Sequence, residues 1–216
     1  MLERYYTVKG FGETEIEINR SRFICYVDRA ETEEQAQEFI ARMKKKHWDA
    51  THNCSAYLVG EQDQIQKADD NGEPSGTAGK PILEVLKKNH VKDCVVVVTR
   101  YFGGIKLGAG GLIRAYGKGA AEALRAGELI ERVKHHLFHF EVDYTFLGKI
   151  ENELRGKEEY IVDQISYLDL VTVSVLTPPE KEQALLEWIT NLTSAQSKIT
   201  SGEARYVDFQ KEPKDT

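Results

Sequence analysis

Two glycine-rich stretches bracket one short, wholly apolar run, and no other feature limits the folds open to this chain as tightly. The first stretch reads Asp69-Asp70-Asn71-Gly72-Glu73-Pro74-Ser75-Gly76-Thr77-Ala78-Gly79. The second reads Arg100-Tyr101-Phe102-Gly103-Gly104-Ile105-Lys106-Leu107-Gly108-Ala109-Gly110-Gly111 and leads into an alanine-rich segment. Between them, residues 93–99 are apolar at both alternating sets of positions, as in a central strand buried on both faces. Both stretches run into helix N-termini. Glycine admits positive φ and lets backbone approach a ligand closely. Seven glycines between Gly103 and Gly119 therefore predict a site within residues 69–121.

With 216 residues the chain forms one large domain or two small ones. Its 41% hydrophobic and 30% charged residues are those of an ordinary globular protein. The longest apolar run, Val95 to Val98, is too short to span a bilayer. No apolar segment of a signal peptide follows Met1-Leu2-Glu3-Arg4. Cys25, Cys54 and Cys94 form no C-x-x-C pair, which fits a reducing compartment. A cytoplasmic protein without membrane contact is expected. The net charge of -6 is uneven. Residues 135–216 hold 8 Lys+Arg against 15 Asp+Glu, leaving 21 basic and 20 acidic residues in 1–134. Nucleic-acid contact would thus come from a local patch in the first part.

Strand patterns occupy residues 5–9, 14–18, 22–27, 54–59 and 65–68. Thr32-Glu33-Glu34-Gln35 reads as a capping box opening a helix that ends near Lys46. Pro81 lies in the first turn of a helix through about Lys88, with Asn89 as its C-cap. Residues 112–126 form the next helix. After a short linker at Arg132-Val133-Lys134 the pattern changes to strand, helix, strands at 160–165 and 168–175, helix and a last strand over 197–209. Thr177-Pro178-Pro179-Glu180 supplies an N-cap for the second of these helices. The order β-α-β-β-α-β is ferredoxin-like. The expected architecture is α+β in two domains, residues 1–132 and 133–210, with a polar tail over 211–216.

Free N–H groups at Gly108, Gly110 and Gly111, aided by the helix dipole, make an anion site. Arg100, Lys106 and Arg114 add positive charge, and phosphate on RNA or on a small molecule is the natural guest. The run matches neither a P-loop nor a dinucleotide fingerprint, and close packing accounts for the same glycines. Asp70 and Glu73 offer hard oxygen ligands, but in a turn-forming segment acidic residues serve equally as solvated or capping groups. Ser75 and Thr77 either cap the following helix or donate to phosphate. One of Tyr101 and Phe102 is core, and the other is free to stack on a base. Cys54 reads as a small buried hydrophobe, since its neighbour His52-Asn53 side chains do not form a dyad with it. His135 and His136 alternate across a strand and do not share a metal. No cofactor, metal or catalytic residue is called for.

Gly79-Lys80-Pro81-Ile82-Leu83, the spacing of Leu86 and Val91, and Val97-Val98-Thr99-Arg100-Tyr101-Phe102-Gly103-Gly104-Ile105-Lys106-Leu107-Gly108 resemble the signature of the IMPACT family. The loop from Asp70 to Gly79 resembles that family's other recurrent segment. The resemblance covers about residues 1–130, and the remainder resembles the C-terminal domain of bacterial members. It implies a first domain like ribosomal protein S5 domain 2, shared with elongation factor G, and a ferredoxin-like second domain. It also implies a binding role in translation, with ribosome or RNA as partner, the protein partner being unknown. No catalytic residues carry over. The RWD domain of eukaryotic members is not expected, because the motif-bearing domain starts almost at Met1. Related small-molecule kinases hold phosphates in a comparable glycine loop, but the serine pair they use is missing here. A sensor or enzyme for a small phosphorylated ligand or nucleotide at Gly108–Gly111 is the competing reading.

Overall fold

The structure is a computed structural model that describes residues 2–211. Two units are distinguished, residues 1–132 with 208–216 and residues 133–207. In the first, β1 (Arg4–Val8) precedes a hairpin of β2 (Gly12–Ile18) and β3 (Ser21–Arg29). Asn19 and Arg20 turn that hairpin with φ of 48° and 63°, the positive pair that matches strand twist in a two-residue turn. Thr32 then caps α1 (Glu33–Lys46), its hydroxyl accepting from the Gln35 N–H. There follow β4 (His52–Val59), β5 (Ile65–Asp69), α2 (Gly79–Lys88), β6 (Cys94–Tyr101), α3 (Gly108–Ala126) and β7 (Leu129–Val142).

The main sheet has the order β2-β3-β6-β4-β5 and is antiparallel throughout. Its central strand explains the unbroken apolar run. Cys94, Val96 and Val98 pack with Phe23, Cys25 and Cys54 beneath α2 and α3. Val95 and Val97 pack with Tyr26 and Tyr57 beneath Phe39 and Met43 of α1. Helices thus cover both faces, and every β6 residue up to Arg100 is buried. Close approach of α3 requires Gly119, where a Cβ would lie 2.8 Å from the Cys25 sulfur.

Register decides where the loops go. Tyr101 pairs with Arg22, Arg100 with His52, and Asp69 with Ser55. The end of β6 therefore meets the starts of β3 and β4 and lies on the same side as the end of β5. The hairpin turn at 19–20 and the segments 47–51, 70–78 and 102–107 consequently gather at one end of the sheet. The C-terminus of α1 and the N-termini of α2 and α3 are there too.

The second unit continues along β7 with α4 (Tyr144–Leu154), β8 (Ile161–Tyr167), β9 (Val171–Thr177), a 3-10 turn at Pro179–Lys181, α5 (Glu182–Leu192), β10 (Lys198–Ser201) and β11 (Arg205–Gln210). The antiparallel order β10-β7-β9-β8 is that of the ferredoxin-like βαββαβ fold. Phe138, Phe140 and Val173 share one core with Ile150 of α4 and with Leu185 and Ile189 of α5. Among the described residues no helix is long and apolar enough to cross a membrane.

The two-domain α+β architecture stands, with four local corrections. The stretch Arg132-Val133-Lys134 is no linker but lies inside β7. Helix α3 starts at Gly108 rather than residue 112, because glycines carry no apolar pattern to mark the first turn. Thr177 ends β9 instead of capping a helix, and its hydroxyl donates to the Pro178 carbonyl. The last strand is two, β10 and β11, interrupted at 202–204. Of the expected polar tail, residues 212–216 lie outside the described residues.

Filling the space at Gly119 tests the helix–sheet packing. Gly119→Val is expected to cost about 1–3 kcal/mol through overpacking, seen as a lower urea midpoint with an unchanged m value.

Candidate functional site

The loop from Asp70 to Ala78 is organised by one carboxylate. Asp70 Oδ2 accepts from Gly76 N at 2.7 Å, and Oδ1 from Ala78 N at 3.0 Å and Gly79 N at 2.8 Å. Asp70 thereby does the capping expected of Ser75 or Thr77. Burial works to raise its pKa, but the three backbone donors outweigh it and hold the carboxyl below the ordinary aspartate value. Thr77 is buried and its hydroxyl donates to the Pro74 carbonyl at 2.6 Å. Ser75 is exposed on the loop.

Glu73 and Arg100, given separate acidic and basic roles by the sequence, meet in the interior. Arg100 Nη1 donates to Glu73 Oε1 at 2.7 Å, with both side chains at most 6% exposed. The Tyr116 hydroxyl donates to the same oxygen at 2.8 Å, and Arg100 Nη2 donates to Ser21 Oγ at 3.3 Å. Burial, then the neighbouring Cys54 and Glu73, push the Tyr116 hydroxyl pKa up, so it remains a donor. This cluster joins the loop, β6, the start of β3 and α3. The charge of Arg100 is paired within the fold, while its buried Nε has no hydrogen-bond partner among the described residues. Its guanidinium also sits between the rings of Phe23 and Phe102, at 5.5 and 5.4 Å from their centroids.

Cys54 is fully buried and its Sγ donates to the Asp70 carbonyl at 3.0 Å. Burial pushes its thiol up to about 12, far from a reactive thiolate. His52 turns Nδ1 toward the Asn71 carbonyl at 2.9 Å and does not bond the cysteine. Asp69 is occupied by Lys44 at 3.1 Å. The carboxylates of this loop are thus all engaged by the protein itself.

The second loop is open in character. Gly103 is pressed against the hairpin turn, since a Cβ there would lie 2.0 Å from the Arg20 carbonyl oxygen. Gly104 and Gly108 adopt φ of 88° and 69°, which other residues rarely accept. Leu107 takes the N-cap position of α3 without any side-chain cap bond. Gly108 and Gly110 are exposed and Gly111 is half-buried, so first-turn amides face outward at the positive end of the helix dipole. Arg114 folds back over this turn, its Nη1 3.6 Å from where a Gly110 Cβ would be. Lys106 and Arg114 are exposed, and so are Arg20, Lys45 and Lys80 at the same end. Among the described residues no carboxylate pairs with any of these five.

Sequence reasoning missed the segment 47–51. Thr51 N donates to the Arg100 carbonyl at 3.0 Å, and Phe102 N donates to Thr51 Oγ1 at 3.1 Å. Tyr101 is the core member of the aromatic pair. Its hydroxyl meets His47 Nδ1 at 2.9 Å and donates to Asp49 Oδ1 at 3.1 Å. His47 is buried against Tyr26, and burial followed by Lys46 holds its pKa below the ordinary histidine value. Trp48, next in sequence, is 83% exposed, and Phe102 is 46% exposed. The signal available was Lys44-Lys45-Lys46-His47-Trp48 itself, a basic run ending in tryptophan.

Comparison with known proteins places this geometry. The Impact N-terminal domain profile matches residues 19–124, and that of a domain of unknown function, DUF1949, matches residues 140–196. The IMPACT family member YvyE of Bacillus subtilis is 55% identical over 208 residues, 96% of this chain and 95% of its own. The chain belongs to the IMPACT family. YigZ of Escherichia coli, another member, is 36% identical over 76% of this chain and 81% of its own. A crystal structure titled as that of a hypothetical protein is similar with a TM-score of 0.59 and 30% identity, covering 94% of this chain and 99% of that one. Both glycine-rich segments lie within the matched first domain.

Two substitutions probe the cluster. Glu73→Leu strands the buried guanidinium and is expected to cost about 3–5 kcal/mol, while the double variant Glu73→Leu/Arg100→Leu regains a large part of that loss. Chemical denaturation of the full cycle measures the coupling. Asp70→Ala is expected to cost about 1–2 kcal/mol at neutral pH. Because the folded carboxyl has the lower pKa, this contribution is complete above the unfolded value of about 3.9 and fades as pH falls through the folded one. The gap between wild type and Asp70→Ala should therefore close in acid.

Proposed function

We propose that this chain is a non-catalytic binding protein acting in translation, which engages RNA or the ribosome through the loop end of its first unit. One observation carries the reading. At that end Arg20, Lys45, Lys80, Lys106 and Arg114 have no carboxylate partner among the described residues, while Asp69, Asp70 and Glu73 are satisfied internally. The first unit is nearly neutral by count, yet its loop end is left positive. The uncapped N-terminus of α3 adds backbone donors suited to phosphate. The groups with chemical potential nearby are tied up: a thiol pushed up by burial, a carboxylate bound by three amides, and another in an ion pair. The family's association with translation supplies the partner class. Residues 135–216, with their excess of acid, make a poor phosphate surface.

A second reading, a sensor of small phosphorylated ligands, is favoured by Arg114 lying over Gly110 at the helix start. It predicts a rise in melting temperature with a nucleotide or sugar phosphate, since a ligand of the native state stabilises it.

Co-sedimentation with ribosomes and filter binding to RNA, each at several salt concentrations, test the first reading. Binding is expected to weaken steeply with salt. Lys106→Ala/Arg114→Ala should reduce the log–log salt slope by roughly 0.7 for each phosphate no longer neutralised. Salt-insensitive binding, or none at low ionic strength, would overturn it.

A further inference from the structure

We propose that the RNA taken by this end is single-stranded, with unpaired bases stacked on Trp48 and Phe102. The inference rests on the RNA-binding reading above and names the form of RNA. Trp48 is more exposed, at 83%, than any other large apolar residue described. It has no role in the core beneath it. The buried face of α1 ends with Met43, and the adjacent His47 turns inward to Tyr26 and Tyr101. An indole carries a large apolar area, and leaving it in water forgoes the burial it would gain elsewhere. Phe102 is 46% exposed and has the Arg100 guanidinium near its ring.

The two rings stand on segments that are bonded to each other. Thr51 N to Arg100 O, Phe102 N to Thr51 Oγ1 and Tyr101 Oη to Asp49 Oδ1 join residues 49–51 to residues 100–102. His47, which precedes Trp48, bonds the same Tyr101. Both segments that carry the rings are thus fixed before any ligand arrives, which lowers the ordering cost of binding. Around them stand the unpaired Lys45, Lys106 and Arg20, with Asp49 engaged by Tyr101.

This combination discriminates between forms of RNA. In a duplex the base faces are stacked on one another and hidden, so recognition uses phosphates and 2′-hydroxyls and has no use for exposed rings. In a single strand every base has a free face, and an aromatic ring beside cations is the usual platform for it. Exposed aromatics also serve protein interfaces, but here the unpaired Lys45, Lys106 and Arg20 outnumber the Asp49 carboxylate and leave an excess of the sign that phosphate requires.

The chain has two tryptophans, and Trp188→Phe leaves Trp48 as the only indole reporter. The probes are a single-stranded RNA of about 12 nucleotides, within the usual range of such sites, and a duplex of the same sequence. The single strand is expected to bind more tightly and to quench Trp48 emission. Trp48→Ala and Phe102→Ala should each weaken single-strand binding about 5- to 150-fold and leave duplex affinity unchanged. Trp48→Tyr, which keeps a stacking ring, should restore most of it. Unchanged thermal unfolding of Trp48→Ala confirms that the fold is intact. Equal affinity for both forms, or unquenched Trp48 in a complex that does form, overturns the stacking inference and leaves RNA binding standing. A shift of Trp48 emission with protein concentration alone assigns the ring to self-association and likewise overturns it. Binding of neither form at low salt overturns both readings.

Discussion

The guanidinium of Arg100 and the carboxylate of Glu73 share a nearly water-free space, and the loop end of the first unit is built around their contact. A buried pair contributes little by itself, because removing two charges from water cancels most of the attraction. Either charge alone, however, would cost several kcal/mol, a large share of the 5–15 kcal/mol that holds a typical domain folded. Loop 70–78 is therefore held against β6, the Tyr116 hydroxyl joins α3 to the same oxygen, and Ser21 brings in the start of β3. Asp70 completes the frame by binding three amides at the start of α2.

Internal use of the acidic residues shapes the surface. Asp69, Asp70 and Glu73 face protein partners, so the unpaired cations around the α3 start are not cancelled by their sequence neighbours. A segment that looks acidic in the sequence thus leaves a basic end in the fold. Close packing and solvent exposure fall on different glycines. Gly103 and Gly119 are required by their closeness to Arg20 and Cys25, whereas Gly108 and Gly110 have no such crowding and lie exposed.

Much of the fold was legible because it rests on periodicity and local chemistry. The unbroken apolar run of β6 announced a central strand buried on both faces, and Thr32 announced the start of α1. The β-α-β-β-α-β order announced the ferredoxin-like unit. The failures have equally local causes. Glycines hid the first turn of α3, and alternation resumed through Arg132-Val133-Lys134 because that stretch is strand. Trp48 went unread because the basic run before it also reads as the C-terminal turn of α1, and its exposure is a tertiary fact.

By itself the sequence determined two α+β domains, a glycine-rich stretch with helix starts on both sides of a buried strand, and membership of a recognisable family. These follow from residue spacing, which acts along the chain. Only the tertiary structure decided that Glu73 neutralises Arg100, that Asp70 caps α2, and that residues 47–51 lie beside residues 100–102. Those outcomes depend on strand register, which sets His52 opposite Arg100 and so brings together groups dozens of residues apart. The two glycine-rich stretches meet at one end of the first unit's main sheet, and the antiparallel pairing of β6 with β3 and β4 decided which side chains gather there.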